Sequence, residues 1–231
     1  MKKKLIGILL LILFIVISFN VFQYFRSAIN SQLLSGLEGT IYYIERVDGV
    51  RTLFKSDATL KNKTLIYSHK GKGKVNDNIL DFYYDKTNKT IYFIAMNNGS
   101  WRLFSLKEGG NKPILLHKKD VMTNTDYIKN QFKNLTVTSK QGSLYLSKNG
   151  NEKIIKEFHG IYDRKFTGYN PVGFSPDGKY LVYHSMEHLT PFGTILEVFV
   201  KDSVGNTYIM DLSTMESTKF IDAYDIQWII D

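Results

Sequence analysis

A pair of adjacent apolar residues returns at nearly constant spacing through the chain beyond residue 40, and this constrains the fold more than any other feature. Leu53-Phe54, Leu103-Phe104, Ile154-Ile155 and Ile209-Met210 are 50, 51 and 55 residues apart. Each sits in a short run that ends in a turn: RTLFKSD from Arg51, WRLFSLKEGG from Trp101, EKIIKEF from Glu152 and TYIMDLSTME from Thr207. Alternating apolar and polar residues put one face of an extended strand into a core, and clusters of Gly, Asn, Asp and Ser separate one strand from the next. Self-similarity at a fixed period of this length is the signature of a repeat architecture.

A second unit precedes three of these runs. FYYDKTNKTIYFIA from Phe82, LTVTSKQGSLYLSK from Leu135 and VGFSPDGKYLVYHS from Val172 each enter a polar turn and leave it as a stronger apolar strand. The turn residues suit tight hairpins. Most of the first runs lead on to a further apolar strand, TLIYS, PILLH or TKFID. Two hairpins in about 50 residues make the four-stranded blade of a β-propeller. The expected fold class is therefore all-β, a propeller-like array of four four-stranded blades, with five possible if residues 120–134 hold degenerate strands in place of a short helix or long loop. The first blade begins at its second strand, and the chain ends in DIQWIID, which reads as the missing first strand. Pairing the two would remove an exposed sheet edge.

The decapeptide Phe174-Ser175-Pro176-Asp177-Gly178-Lys179-Tyr180-Leu181-Val182-Tyr183 resembles the repeat signature of TolB-type, WD40-like propellers. Tyr208-Ile209-Met210-Asp211-Leu212-Ser213-Thr214 is similar to the third strand and turn of the same repeat. The resemblance covers one blade, residues 171–222, and weakens over residues 81–120, where Asp85-Lys86-Thr87-Asn88 stands in the turn. It is faint over residues 135–159. It implies a fold; a propeller serves many functions, so it implies none in particular.

Ahead of the repeats, residues 5–25 read LIGILLLILFIVISFNVFQYF, without a charge. As a helix this run would be about 31 Å long, close to the thickness of a bilayer's hydrocarbon core. Lys2, Lys3 and Lys4 precede it and only Arg26 follows before Glu38. The positive-inside rule then places the N-terminus in the cytoplasm and the rest outside. Small residues suited to a cleavage site are missing, because Ser27 and Ala28 stand beside Phe25 and Arg26, so a retained anchor is expected. The expected organisation is a cytoplasmic tail at 1–4, a transmembrane signal-anchor helix at 5–25, a juxtamembrane stalk at 26–38 ending at Ser35-Gly36, and an extracytoplasmic propeller-like domain at 39–231.

Composition narrows the chemistry. The 231 residues include no cysteine, which removes disulfides, thiol catalysis, cysteine-bound zinc and cysteine lipidation. The formal charge is +8, but setting aside Lys2, Lys3, Lys4 and Arg26 leaves 26 basic against 22 acidic residues, a balance of +4. That is too mild for a nucleic-acid partner. Richness in Lys, Asn and Ile with a lipid-free anchor points to a low-GC Gram-positive bacterium.

One segment carries the letters of a metal site. His184-Ser185-Met186-Glu187-His188 spells H-x-x-E-H, the inverted zincin pattern, whose two histidines must share a helix face with the glutamate as base. Here His184 ends an alternating strand and Leu189-Thr190-Pro191 follows, so a polar loop is the plainer reading; His184, Glu187 and His188 remain metal candidates. The run from His69 to Lys74 is a basic loop without a phosphate-loop motif. No G-x-S-x-G occurs, and the carboxylates sit at strand ends where Asp supports turns.

Binding would fall on the longer loops, at 122–133, 160–171 and 185–194. The second carries Tyr162, Arg164 and Tyr169, residue types that favour interface hot spots. The expectation is an anchored, extracytoplasmic binding or protein-interaction module, held to the cytoplasmic membrane by its helix, with a protein or cell-wall partner, no cofactor and no enzymatic activity. The alternative is a surface hydrolase or metal-dependent enzyme built on the His184–Glu187–His188 loop.

Overall fold

The computed structural model describes residues 2–27, 30–69, 78–116, 131–160, 162, 164, 167–186 and 206–230, with the side chains of the first helix described over residues 4–18. Helix α1 spans Lys2–Ser27 and helix α2 Ser31–Ser35. Asn30 starts α2 afresh: its side-chain oxygen accepts hydrogen bonds from the Gln32 and Leu33 amides, each at 3.1 Å. A short carboxamide that satisfies first-turn N–H groups favours a new helix over a continued one. The Asn30 amide itself donates to Thr218 Oγ1 at 2.7 Å, and Leu34 and Leu37 are buried among core residues of the sheets. Part of the expected stalk thus lies against the β-domain.

Sixteen strands follow among the described residues: β1 Thr40–Val47, β2 Val50–Asp57, β3 Thr64–Tyr67, β4 Ile79–Asp85, β5 Thr90–Asn97, β6 Ser100–Lys107, β7 Ile114–Leu115, β8 Gln131–Phe132, β9 Leu135–Lys140, β10 Ser143–Lys148, β11 Asn151–Lys156, β12 Gly168–Phe174, β13 Tyr180–Met186, β14 Asn206–Asp211, β15 Ser217–Lys219 and β16 Asp225–Ile229. They form four antiparallel four-stranded sheets. The first is β16-β1-β2-β3, the second β4-β5-β6-β7, the third β8-β9-β10-β11 and the fourth β12-β13-β14-β15. The all-β, propeller-like expectation holds, and so does closure by the C-terminal strand, since Thr40 pairs with Ile229 and Ile44 with Asp225.

The third sheet departs from the expected alignment. The hairpin 135–148 is β9–β10, the second and third strands of its sheet, where the repeat pattern assigned it to the first and second. Ile154-Ile155 accordingly lies on the fourth strand, β11, whereas the other three apolar pairs lie on third strands. The inner strand is β8, only two residues long, and two residues cannot display an alternation. It falls in the 120–134 segment and completes the third sheet; residues 117–130 lie outside the described residues.

Three seams pack the sheets together. In β1 four consecutive residues are buried because both faces of the first sheet are covered. Tyr42 and Ile44 join Phe82, Tyr84, Ile91 and Phe93 of the second sheet. Ile41 and Tyr43 join Val172, Val182 and Ile209 of the fourth. The fourth sheet turns its other face, with Tyr169, Phe174, Leu181 and Tyr183, to Val137, Leu144 and Leu146 of the third. Among the described residues no such cluster joins the second and third sheets.

Helix α1 contributes to none of these clusters, and its apolar side chains over residues 5–17 are all exposed. Among the described residues no helix is long and apolar enough to cross a membrane.

Candidate functional site

The strands bring one end of each of two expected binding loops together; residues 187–194 of the second lie outside the described residues. Gly168, where the 160–171 loop enters β12, pairs with Met186, where β13 leaves for the 185–194 loop. Loops at the two ends of one register pair share a rigid base, which is how a sheet presents variable segments. Tyr162 and Arg164 are exposed in this region, Tyr162 at 55%. Tyr169 is different: at 6% exposure it stands edge-to-face against both Phe158 and Tyr183, with Lys156 Nζ 4.9 Å from its ring centre. Its ring is a packing element between the third and fourth sheets.

His184 stands at the same sheet end. Thr207 Oγ1 lies 3.0 Å from His184 Nδ1 and 3.2 Å from the Ala223 carbonyl, so its hydroxyl ties the ring to the segment before β16. Glu187 and His188 lie outside the described residues. Among the described residues no three His, Asp or Glu side chains gather as a metal site.

His69 is held comparably. Its Nε2 lies 2.6 Å from the Met96 carbonyl, which can only accept, so Nε2 carries the proton and Nδ1 accepts from Tyr67 Oη at 3.3 Å. The ring is buried at 8% exposure beside Tyr67, Phe93 and Phe104. Residues 70–74 of the basic loop lie outside the described residues.

A polar cluster that the sequence did not announce lies between the first and second sheets. Glu108 accepts from Tyr42 Oη at 3.1 Å and Lys55 Nζ at 3.2 Å through Oε1, and from Tyr84 Oη at 2.8 Å through Oε2. The Tyr42 and Tyr84 rings stack with centres 4.2 Å apart. Burial, the Tyr84 hydrogen bond and the Glu108 charge all push the Tyr42 hydroxyl's pKa far up. Burial opposes ionisation of Glu108, yet the hydrogen bonds from Tyr84, Lys55 and Tyr42 win and hold its carboxyl below the usual range. A tyrosine kept protonated beside a carboxylate kept ionised cannot exchange a proton readily near neutrality. The cluster is a clasp between sheets.

The hairpin β1–β2 carries a further pair. Arg46 and Arg51 stand directly opposite each other in its register, and both guanidinium carbons lie over the ring of Tyr224, at 5.4 and 4.1 Å from its centre. This pair was open to sequence reasoning, because a hairpin turning at Asp48-Gly49 must place residues 46 and 51 opposite one another. Tyr224, far away in the chain, was not.

No family model matches the chain, and no curated protein matches it. Solved structures do. The chain is similar to the crystal structure of a nidogen/laminin complex, at 9% identity, with 78% of this chain and 61% of that one covered and a TM-score of 0.26. It is similar to a TolB protein from Agrobacterium tumefaciens at 14% identity, with coverages of 79% and 58% and a TM-score of 0.25. It is also similar to the β-propeller domain of the Trilobed protease from Pyrococcus furiosus, at 12% identity, 82% and 57% coverage and a TM-score of 0.28. The chain spans about three fifths of the length of these structures. Likeness this remote adds nothing to the strand pairing, on which the fold assignment rests.

Proposed function

We propose that the chain is a membrane-anchored, extracytoplasmic propeller-like module that binds a protein or cell-wall partner. The observation that carries this reading is helix α1, whose apolar residues 5–17 are exposed and belong to none of the core clusters of the β-domain. A helix that is apolar all round demands an apolar surrounding. The sequence continues the uncharged run to residue 25, and the three lysines before it favour an inside N-terminus. The binding role draws support from Tyr162 and Arg164, exposed in the segment that leads into β12.

The absence of cysteine supplies a clean test. Lys153→Cys places one thiol on exposed β11, to be probed in intact cells with a membrane-impermeant maleimide. Labelling without lysis supports an outside domain; labelling only after lysis overturns it. Crosslinking of the full-length chain in intact cells then tests the binding role. A partner lost when residues 160–167, ahead of β12, are exchanged supports it, and a partner set indifferent to both loops removes it.

A further inference from the structure

Arg46 and Arg51 form the one place among the described residues where two guanidinium groups share an aromatic ring. Like charges directly opposite on neighbouring strands repel, so this pairing needs a reason. The usual remedy is a carboxylate, yet neither arginine takes part in an ion pair among the described residues. Glu45, next to Arg46 in the chain, is engaged with Lys63 at 2.7 Å. Neither guanidinium donates a hydrogen bond to a protein acceptor among the described residues; Arg51 donates through its backbone amide, to Asn78 Oδ1 at 2.9 Å. Each guanidinium carries five N–H donors in a planar fork matched to oxyanions.

The platform beneath them is built, not incidental. The Tyr224 amide donates to the Ile44 carbonyl at 2.8 Å, and the ring packs against the cluster between the first and second sheets. Tyr224 immediately precedes β16, the strand that closes the first sheet. Attraction to the ring face holds both guanidinium groups near one another without using their N–H donors.

We propose that Arg46 and Arg51, oriented on Tyr224, form a binding site for a phosphate group. Two positive charges with in-plane donors suit a tetrahedral dianion or phosphodiester better than a lone carboxylate, which one guanidinium already satisfies. The site sits at the far end of β1 from Thr40, where the chain arrives from α2; the six steps of strand from Thr40 to Arg46 put it about 20 Å from that entry. A soluble or polymer phosphate is therefore favoured over the headgroups of a membrane lying at the chain's entry.

The chain has five arginines, so their Nε–H resonances can be assigned in the full-length protein in a non-ionic detergent. Titrating inorganic phosphate against chloride at matched ionic strength should shift the Arg46 and Arg51 signals saturably and leave Arg102 and Arg164 in place. Arg51→Lys should weaken that response at least fivefold, as should Tyr224→Leu. Equal, non-saturating shifts at all arginines would mean screening alone and overturn the site. Acetate binding as tightly as phosphate would overturn the phosphate assignment. Zwitterionic vesicles doped with anionic phospholipid form the second arm: perturbation of the pair by vesicles but not by inorganic phosphate would overturn the soluble source in favour of lipid.

Discussion

The side chain of Gln227 serves the backbone of Tyr84 as a strand would. Its Oε1 accepts from the Tyr84 amide at 2.7 Å, and its Nε2 donates to the Tyr84 carbonyl at 2.9 Å. The two residues are 143 apart in the chain, and Gln227 is 4% exposed. The closing strand β16 thereby holds the second sheet as well as the first. Gln227→Leu should strand both backbone groups in a buried site, at about 1–3 kcal/mol for each unsatisfied group. Chemical denaturation should show a loss of that order, and an unchanged midpoint would mean that water replaces the amide.

Gly142 and Gly168 meet at the seam between the third and fourth sheets. Their φ angles are +83° and +69°, and a Cβ on Gly168 would lie 2.5 Å from the Gly142 Cα and 2.7 Å from its carbonyl oxygen. Backbone cannot yield as a side chain can. Gly150, also at φ +83°, would meet nothing within 4 Å of an added Cβ. Gly150→Ala should cost only the left-handed strain, about 1 kcal/mol. Gly168→Ala should cost clearly more and loosen Tyr169, whose amide donates to the Gly142 carbonyl at 2.8 Å. Equal losses in thermal or denaturant unfolding would refute the clash.

These positions show where sequence reading reaches its limit. Short apolar runs bounded by turn residues announce β1, β5 and β13 as strands, and the DIQWIID ending announces closure, because such patterns are local and repeat along the chain. Which of two hairpins in a blade a segment forms is not local. Residues 135–148 read equally well as either, and only the two-residue β8 decides. Gln227 and Glu108 look like surface residues in the sequence; their partners, Tyr84 and Tyr42, lie on other sheets. Tyr162 and Tyr169 are equals in one loop as far as sequence goes, and it is the pleat of β12 that turns Tyr169 into a seam.

Acid should unfold the β-domain by a route that several carboxylates share. Hydrogen bonds from Asn88 hold Asp85 low, and those from Ser213 hold Asp211 low. At Asp57 and Asp177 burial opposes the same effect, but bonds led by Thr59 and Ser175 outweigh it. Glu108 follows suit. Folded values below the unfolded ones, about 3.9 for Asp and 4.3 for Glu, contribute stability above those unfolded values. It is lost as pH falls through the folded ones. The denaturant midpoint should thus change little between about pH 6 and 7 and drop below about pH 4. Glu108→Gln should flatten part of that drop; a steeper drop in the variant would contradict the sign.

The anchor reading makes the most exposed claim. Leu10 and Leu13 are the sixth and ninth residues of the uncharged run 5–25, at 61% and 54% exposure, and Leu13 is the nearer to its centre. A charged residue at the centre of a membrane helix costs about 2.5–3.5 kcal/mol on the insertion scale, so Leu10→Lys with Leu13→Lys should tip the helix out of the bilayer. Sheets held by β16 and the Glu108 clasp draw nothing from residues 5–17, so the β-domain should stay folded in the variant. The expected result is wild-type protein in the carbonate-resistant membrane fraction and a soluble, folded double variant. A double variant that stays carbonate-resistant would show that α1 is not what holds the chain to the membrane.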